Sequence, residues 1–128
     1  MFNGIIQGIG VVEDLNPKKN NFLKIKTKLN FKGFIKGSSV ACDGICLTIV
    51  DCKSINNHYV LSVNVSEETI SKTTIQFWKN GKNVNIEKSL KFNQEISGHF
   101  VYGHVDGFSK VIKINKLLNC WYMNFEYT

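Results

Sequence analysis

The sequence predicts an all-β fold, a small barrel or sandwich, and three observations carry that prediction. Short segments of alternating polarity recur along the chain, with turn residues between them. Asp43-Gly44 separates two of these segments; a two-residue hairpin favours this pair because both central positions need positive φ. Finally, Gly4-Ile5-Ile6-Gln7-Gly8 returns 99 residues later, from position 4 to position 103, as Gly103-His104-Val105-Asp106-Gly107. A repeat at that distance marks a domain-sized duplication. Val12 falls on Val111, and after one inserted residue Phe22-Leu23-Lys24-Ile25 falls on Tyr122-Met123-Asn124-Phe125. The second copy reaches Thr128 after about two strands of ordinary length. The chain therefore reads as one complete unit, 1–98, followed by the opening of a second, 99–128.

With 128 residues, 43% apolar and 20% charged, the chain has room for one ordinary core. The net charge is +6, but all sixteen basic residues are lysine. Arginine is the residue suited to bidentate contacts with guanine and phosphate, so its absence argues against a nucleic-acid partner. No apolar run is long enough to span a bilayer, and Met1-Phe2-Asn3-Gly4 lacks the basic and apolar regions of a secretory signal, so a cytoplasmic protein without a membrane partner is expected. Cys42, Cys46, Cys52 and Cys120 form no C-x-x-C pair and should be free thiols there.

Taken in order, Phe2 to Val12 is apolar and glycine-rich and reads as the first strand of a tightly curved barrel; glycines in a strand mark a bend or close approach. Asn16 to Asn21, with the chain's single proline, is a turn. Leu23, Ile25, Thr27 and Leu29 alternate with Lys24, Lys26 and Lys28, a half-buried strand with a solvated lysine face. Phe31 to Phe34 reads as an apolar turn or short helix, ended by Lys36-Gly37. Around Asp43-Gly44, a two-residue turn places Cys42 opposite Ile45, Ala41 opposite Cys46, Val40 opposite Leu47 and Ser39 opposite Thr48. Opposed residues share a face. One face then carries Val40, Cys42, Ile45, Leu47 and Ile49, a core; the other carries Ser39, Ala41, Cys46 and Thr48, small and polar. Asn56-Asn57-His58 is a turn into a strand in which Tyr59, Leu61, Val63 and Val65 alternate with Val60, Ser62 and Asn64. Ser66 with Glu67-Glu68 marks a helix start, and the helix runs to about Lys72. After Asn80-Gly81, Val84 and Ile86 alternate with Asn83, Asn85 and Glu87 as the closing strand.

Few residues point to chemistry by themselves. Cys46 beside Ser39 and Thr48 suits either a nucleophile or polar wall of a pocket, or a small buried hydrophobe. His99 and His104 are five apart and would face opposite sides of a regular strand; they match no metal-ligand spacing with Cys42 or Cys46. His104 alone reads as structural or as catalytic, and His58 as surface. Gly4-x3-Gly8-x-Gly10 has the wrong spacing for a dinucleotide fingerprint.

Three separated motifs, however, resemble the riboflavin synthase family, whose members are built from two lumazine-binding repeats. They are Met1-Phe2-Asn3-Gly4-Ile5-Ile6-Gln7-Gly8, Asp43-Gly44-Ile45-Cys46-Leu47-Thr48, and Gly98-His99-Phe100-Val101-Tyr102-Gly103-His104-Val105-Asp106-Gly107; Glu68-Thr69 and Val84-Asn85-Ile86-Glu87 also fit. The resemblance implies a six-stranded antiparallel Greek-key β-barrel with one or two short helices, plus the first strands of a second, incomplete barrel. It implies cofactor-free dismutation of two 6,7-dimethyl-8-ribityllumazine molecules to riboflavin and 5-amino-6-ribitylaminopyrimidinedione, the two rings stacked between barrels. By the same resemblance Ser39, Cys46, Leu47 and Thr48, with Asn64, Val65, Ser66, Glu67, Glu68 and Thr69, line the first barrel's pocket. Gly4, Ile5 and Ile6, with His104, Val105 and Asp106, face a second ligand. Cys46 and His104 are the implied catalytic groups, and Ser39, Cys46 and Thr48 should converge on a common hollow. The family assembles as homotrimers; a truncated chain is expected to bind ligand with little turnover and to form a homodimer of first barrels. The alternative is a non-catalytic lumazine- or flavin-binding protein.

Overall fold

A computed structural model describes residues 1–15 and 22–127; the turn expected over 16–21 lies outside them. The strands are β1 (Gly8–Leu15), β2 (Phe22–Thr27), β3 (Ser39–Cys42), β4 (Ile45–Ile55), β5 (His58–Asn64), β6 (Asn83–Lys88), β7 (Ser109–Lys116) and β8 (Trp121–Tyr127). Helix α1 (Glu67–Lys72) and a 3-10 turn (Thr74–Phe77) connect β5 to β6. The first six strands close a barrel in the order β1-β2-β5-β4-β3-β6, and every pair is antiparallel. Strands β3, β4 and β5 are joined in succession and β6 returns beside β3, the arrangement of a Greek key. Strands β7 and β8 form a separate two-stranded sheet.

Alternation along each strand fills the barrel. Leu23, Ile25, Val40, Cys42, Leu61, Val63 and Ile86 are fully buried, joined by Val12, Leu47, Ile49 and Val84. The outward lysines of β2 meet acids on β1: Lys24 lies 3.7 Å from Asp14 and Lys26 3.4 Å from Glu13. Both residues of the β3–β4 turn have positive φ, 49° at Asp43 and 81° at Gly44, and the register is the expected one, from Ser39 opposite Thr48 to Cys42 opposite Ile45. Asn56 and Asn57, at 47° and 62°, make a second turn of the same hand. Ser66 caps α1 by accepting the Thr69 N–H at 3.0 Å. Ser66→Ala therefore lowers stability by about 1 kcal/mol; thermal denaturation reads it as a fall of a few degrees, whereas no change would mean that solvent caps the helix equally well.

One expectation about element bounds is corrected, and one left open between two forms is resolved. The first strand begins at Gly8 and not at Phe2, because Gly4 has φ of 76° and breaks the extended line; Phe2 instead bridges to Val101. Residues 31–34 form a turn with no helix, closed by the Phe34 N–H on the Phe31 carbonyl. The duplication is visible in the backbone. Val12 opposes Ile25 and Val111 opposes Phe125, and each ladder shifts register just after that valine, between Val12 and Asp14 in one copy and between Val111 and Lys113 in the other. Val12 and Ile25 are buried, whereas Val111, Met123 and Phe125 of the second hairpin are exposed. A sheet of two strands does not cover its own apolar face.

Candidate functional site

The polar side of the β3–β4 hairpin lies outside the barrel, since its opposite side is the core. What converts a convex outer surface into a hollow is a second wall, and here two segments supply it. The loop Gly103–Asp106 is held to the hairpin by the Cys46 N–H, which donates to the Gly103 carbonyl at 2.9 Å. Helix α1, which follows β5, forms the other side. Between them is a hollow of about 240 Å³ lined by Cys46, Glu68, Thr69, His104, Val105 and Asp106, with Ile45, Lys72, Thr73 and Gly103. Cys46 is half-buried and His104 exposed; the His104 ring stands 6.3 Å from that of Tyr102.

The electrostatics are those of an open rim. The Lys72 ammonium donates to Glu68 at 2.8 Å, one turn along α1, and this hydrogen bond holds the Glu68 carboxyl below its ordinary range. The same bond raises Lys72, with a smaller contribution from the charge of Asp106. The two thiols of the hairpin differ. Burial pushes Cys42 far above the ordinary thiol range, with Asp43 and Cys46 adding to it. Cys42 should resist iodoacetamide at pH 8 until the chain unfolds, while half-buried Cys46 is alkylated in the native state; peptide mass spectrometry distinguishes them, and equal labelling would overturn the assignment of faces. Among the described residues no three His, Cys, Asp or Glu side chains gather as a metal site.

Not every residue expected at the site reaches this hollow. Ser39, Cys46 and Thr48 share the outward face, but they do not converge. Ser39 lines a different hollow, of about 440 Å³, with Phe31, Phe34, Ile49, Lys88 and Phe92 among others, and Thr48 is exposed in neither. Outward side chains on a closed barrel diverge, and only Cys46 lies under the loop. Leu47 and Val65 point inward and are 3% exposed, so their side chains belong to the core. Asn64, Ser66 and Glu67 are exposed beside the hollow without lining it. Gly4 and Ile6 line a third hollow of about 210 Å³ with Phe2, Ala41, Glu87 and Val101, and Ile5 is exposed nearby in sequence. Conversely, Lys72 and Thr73 line the Cys46 hollow without having been anticipated. Their signal was the i to i+4 spacing of Glu68 and Lys72, which places them on one side of α1.

A closed Greek-key barrel with a hollow on its outer wall, followed by a hairpin that repeats the register of its first two strands, defines a class of duplicated β-barrels. The chain belongs to the lumazine binding domain family, whose model matches residues 3–89. It is 38% identical over 115 residues to the riboflavin synthase of Brucella abortus (strain 2308), covering 88% of this chain and 57% of that protein. It is 33% identical over 127 residues to the riboflavin synthase of Bacillus subtilis (strain 168), covering 98% and 57%. The chain thus spans a little over half the length of these relatives. Among solved structures, LumP complexed with 6,7-dimethyl-8-(1'-D-ribityl) lumazine superposes with a TM-score of 0.71 at 20% identity, over 100% of this chain and 69% of that one. LumP complexed with riboflavin gives 0.68 at 21% identity, over 96% and 65%. These likenesses show the same fold.

Proposed function

We propose that the chain provides the first substrate-binding barrel of a riboflavin synthase, and that 6,7-dimethyl-8-ribityllumazine binds outside the barrel against Cys46 and the Gly103–Asp106 loop. The observation that carries this reading is the Cys46 N–H to Gly103 carbonyl bond, which brings a thiol and an imidazole to one hollow. The riboflavin synthases it resembles support the reaction: one ribityllumazine donates a four-carbon unit to another, giving riboflavin and 5-amino-6-ribitylaminopyrimidinedione. A proton must leave the acidic 7-methyl group, and a nucleophile must add at the neighbouring ring carbon. We assign these two tasks to His104 and Cys46, which line the same hollow. Both ring systems are substrates, so no cofactor is required.

A hollow of about 240 Å³, open to solvent, is small beside the 300–1,000 Å³ or so of ordinary ligand clefts. It suits one face of one bicyclic ring, the second ring being brought by another barrel. Holding the two rings together supplies much of the rate. The 128-residue chain therefore binds ligand with little turnover by itself; a chain carrying both barrels acts as a homotrimer, and first barrels alone pair as a homodimer. Fluorescence titration with ribityllumazine beside a riboflavin-formation assay tests this. Saturable binding with near-background turnover is the expected result. Absence of binding defeats the site, and strong riboflavin formation by the chain alone defeats the division of labour. The LumP complexes support a second reading, a non-catalytic lumazine- or flavin-binding protein. Under that reading riboflavin binds as tightly as ribityllumazine, and supplying a second barrel produces no turnover.

A further inference from the structure

We propose that Glu87 is a positioning residue for the Cys46–His104 hollow: its carboxylate anchors the N-terminal segment that holds the inter-repeat loop in place. The affinity part of the argument rests on the ligand-binding reading above; the coupling itself does not.

Glu87 is anomalous on its own strand. The alternation of β6 turns Asn83, Asn85 and Glu87 outward, and the two asparagines are exposed, yet Glu87 is 8% exposed. Its cross-strand partner Ala41, also outward, is 4% exposed. What covers them is a short ribbon lying across the outside of β3 and β6, in which Phe2 pairs with Val101. Carboxylates are rarely buried unless they are paired, and among the described residues no cation lies within ion-pair distance of this one. Glu87 instead accepts the Asn3 N–H at 2.7 Å, the short distance of a charge-assisted bond.

From Asn3 the connection continues through the backbone. The Asn3 carbonyl accepts the His99 N–H at 3.2 Å, and Phe2 and Val101 exchange bonds of 2.8 and 2.9 Å. Two residues beyond Val101, the Gly103 carbonyl takes the Cys46 N–H. The ribbon is seated as closely as main chain permits: a Cβ on Gly98 would stand 2.3 Å from the Asn3 oxygen. The loop carrying His104 is thus fastened at His99, Val101 and Gly103, and the first two fastenings depend on a segment that Glu87 holds at Asn3, beside the buried Phe2 side chain, the Met1 carbonyl, which accepts the Leu90 N–H, and the Gln7 side chain, which accepts the Lys88 N–H.

Amide hydrogen exchange by NMR on the 128-residue chain tests the coupling without ligand. Glu87→Ala and the volume-filling Glu87→Met both remove the acceptor, so the Val101 and Cys46 amides should exchange at least tenfold faster, while the core amides of Ile25 and Val63 keep their rates. Glu87→Gln retains a carbonyl oxygen and restores slow exchange. Ribityllumazine affinity should fall about tenfold in the first two variants and recover in the third. Unchanged exchange at Val101 and Cys46, or equal acceleration of the core amides, overturns the proposal, as does loosened exchange with unaltered affinity. If the wild-type chain binds no ribityllumazine, the functional reading fails, and the exchange rates still decide whether Glu87 holds the loop.

Discussion

Gly10→Ala lowers the stability of the barrel by about 3 kcal/mol, the upper end of the cost of overpacking a core. Gly10 sits on the inward side of β1, paired with Thr27 on β2 and Val84 on β6, where the barrel closes. The space in front of its Cα is already filled. A Cβ there would stand 2.5 Å from Cγ2 of Ile25 and 3.0 and 3.1 Å from Cδ1 and Cγ1 of Ile86, both fully buried side chains. Neither can retreat without disturbing a neighbour in the same core. For a unit of roughly a hundred residues such a loss lowers the melting temperature by more than about 10 °C. Gly8→Ala provides the contrast. Its new Cβ would meet Leu29 at 3.3 Å, a half-buried side chain at the edge of the barrel, and the expected cost is below about 1 kcal/mol. Ile25→Leu moves the branch off Cβ, so the double substitution Gly10→Ala with Ile25→Leu should cost less than the sum of the single changes. A Gly10→Ala chain that melts with the wild type would mean that the strands do not close here as tightly as described.

Gly103→Ala lowers affinity for ribityllumazine by roughly a hundredfold, equivalent to about 2.7 kcal/mol, while the barrel melts within a few degrees of the wild type. Two physical effects act together at this position. Gly103 has φ of 75°, a conformation in which an L-residue is strained. Its added Cβ would also stand 2.9 Å from Cβ and 3.0 Å from the backbone nitrogen of Cys46, and 3.1 Å from the Gly44 carbonyl oxygen. The loop must therefore lift from the hairpin, which breaks the bond from the Cys46 N–H and carries His104 away from the thiol. The barrel loses little because the loop packs on its outer surface, not inside it. Isothermal titration and thermal denaturation on the same sample separate the two effects. An affinity loss accompanied by a large drop in melting temperature would make Gly103 a folding residue; unchanged affinity would remove the loop from the binding site. Gly33→Ala, also at positive φ but with nothing within 4 Å of the new Cβ, controls for strain alone.

The hairpin around Asp43-Gly44 was legible because turn chemistry and period-two alternation agree there. Once two residues are committed to positive φ, the register follows, and with it the separation of Val40, Cys42, Ile45, Leu47 and Ile49 from Cys46 and Thr48. The duplication was legible too, down to the correspondence of Val12 with Val111, since the same ladder with the same bulge follows from the same spacing. The N-cap at Ser66 was local and was read locally. Glu87 was not: by alternation it is an outward, solvated acid, and only a segment eighty-four residues away in sequence buries it. Likewise the glycine-rich opening read as one strand, because extended backbone before Gly4 and after Gly8 looks alike in one dimension.

By itself the sequence determined the all-β class, the strand faces, the hairpin register and the internal copy, all consequences of side-chain period and turn conformation over a few residues. The tertiary structure decided which outward residues share a hollow. That choice depends on what lies across a convex barrel wall: the Gly103–Asp106 loop and α1 stand over Cys46, different segments around Phe31–Phe34 and Lys88–Phe92 wall the hollow at Ser39, and Thr48 is left exposed. Such long-range placement is set by main-chain bonds between distant segments, which leave no periodic trace along the chain.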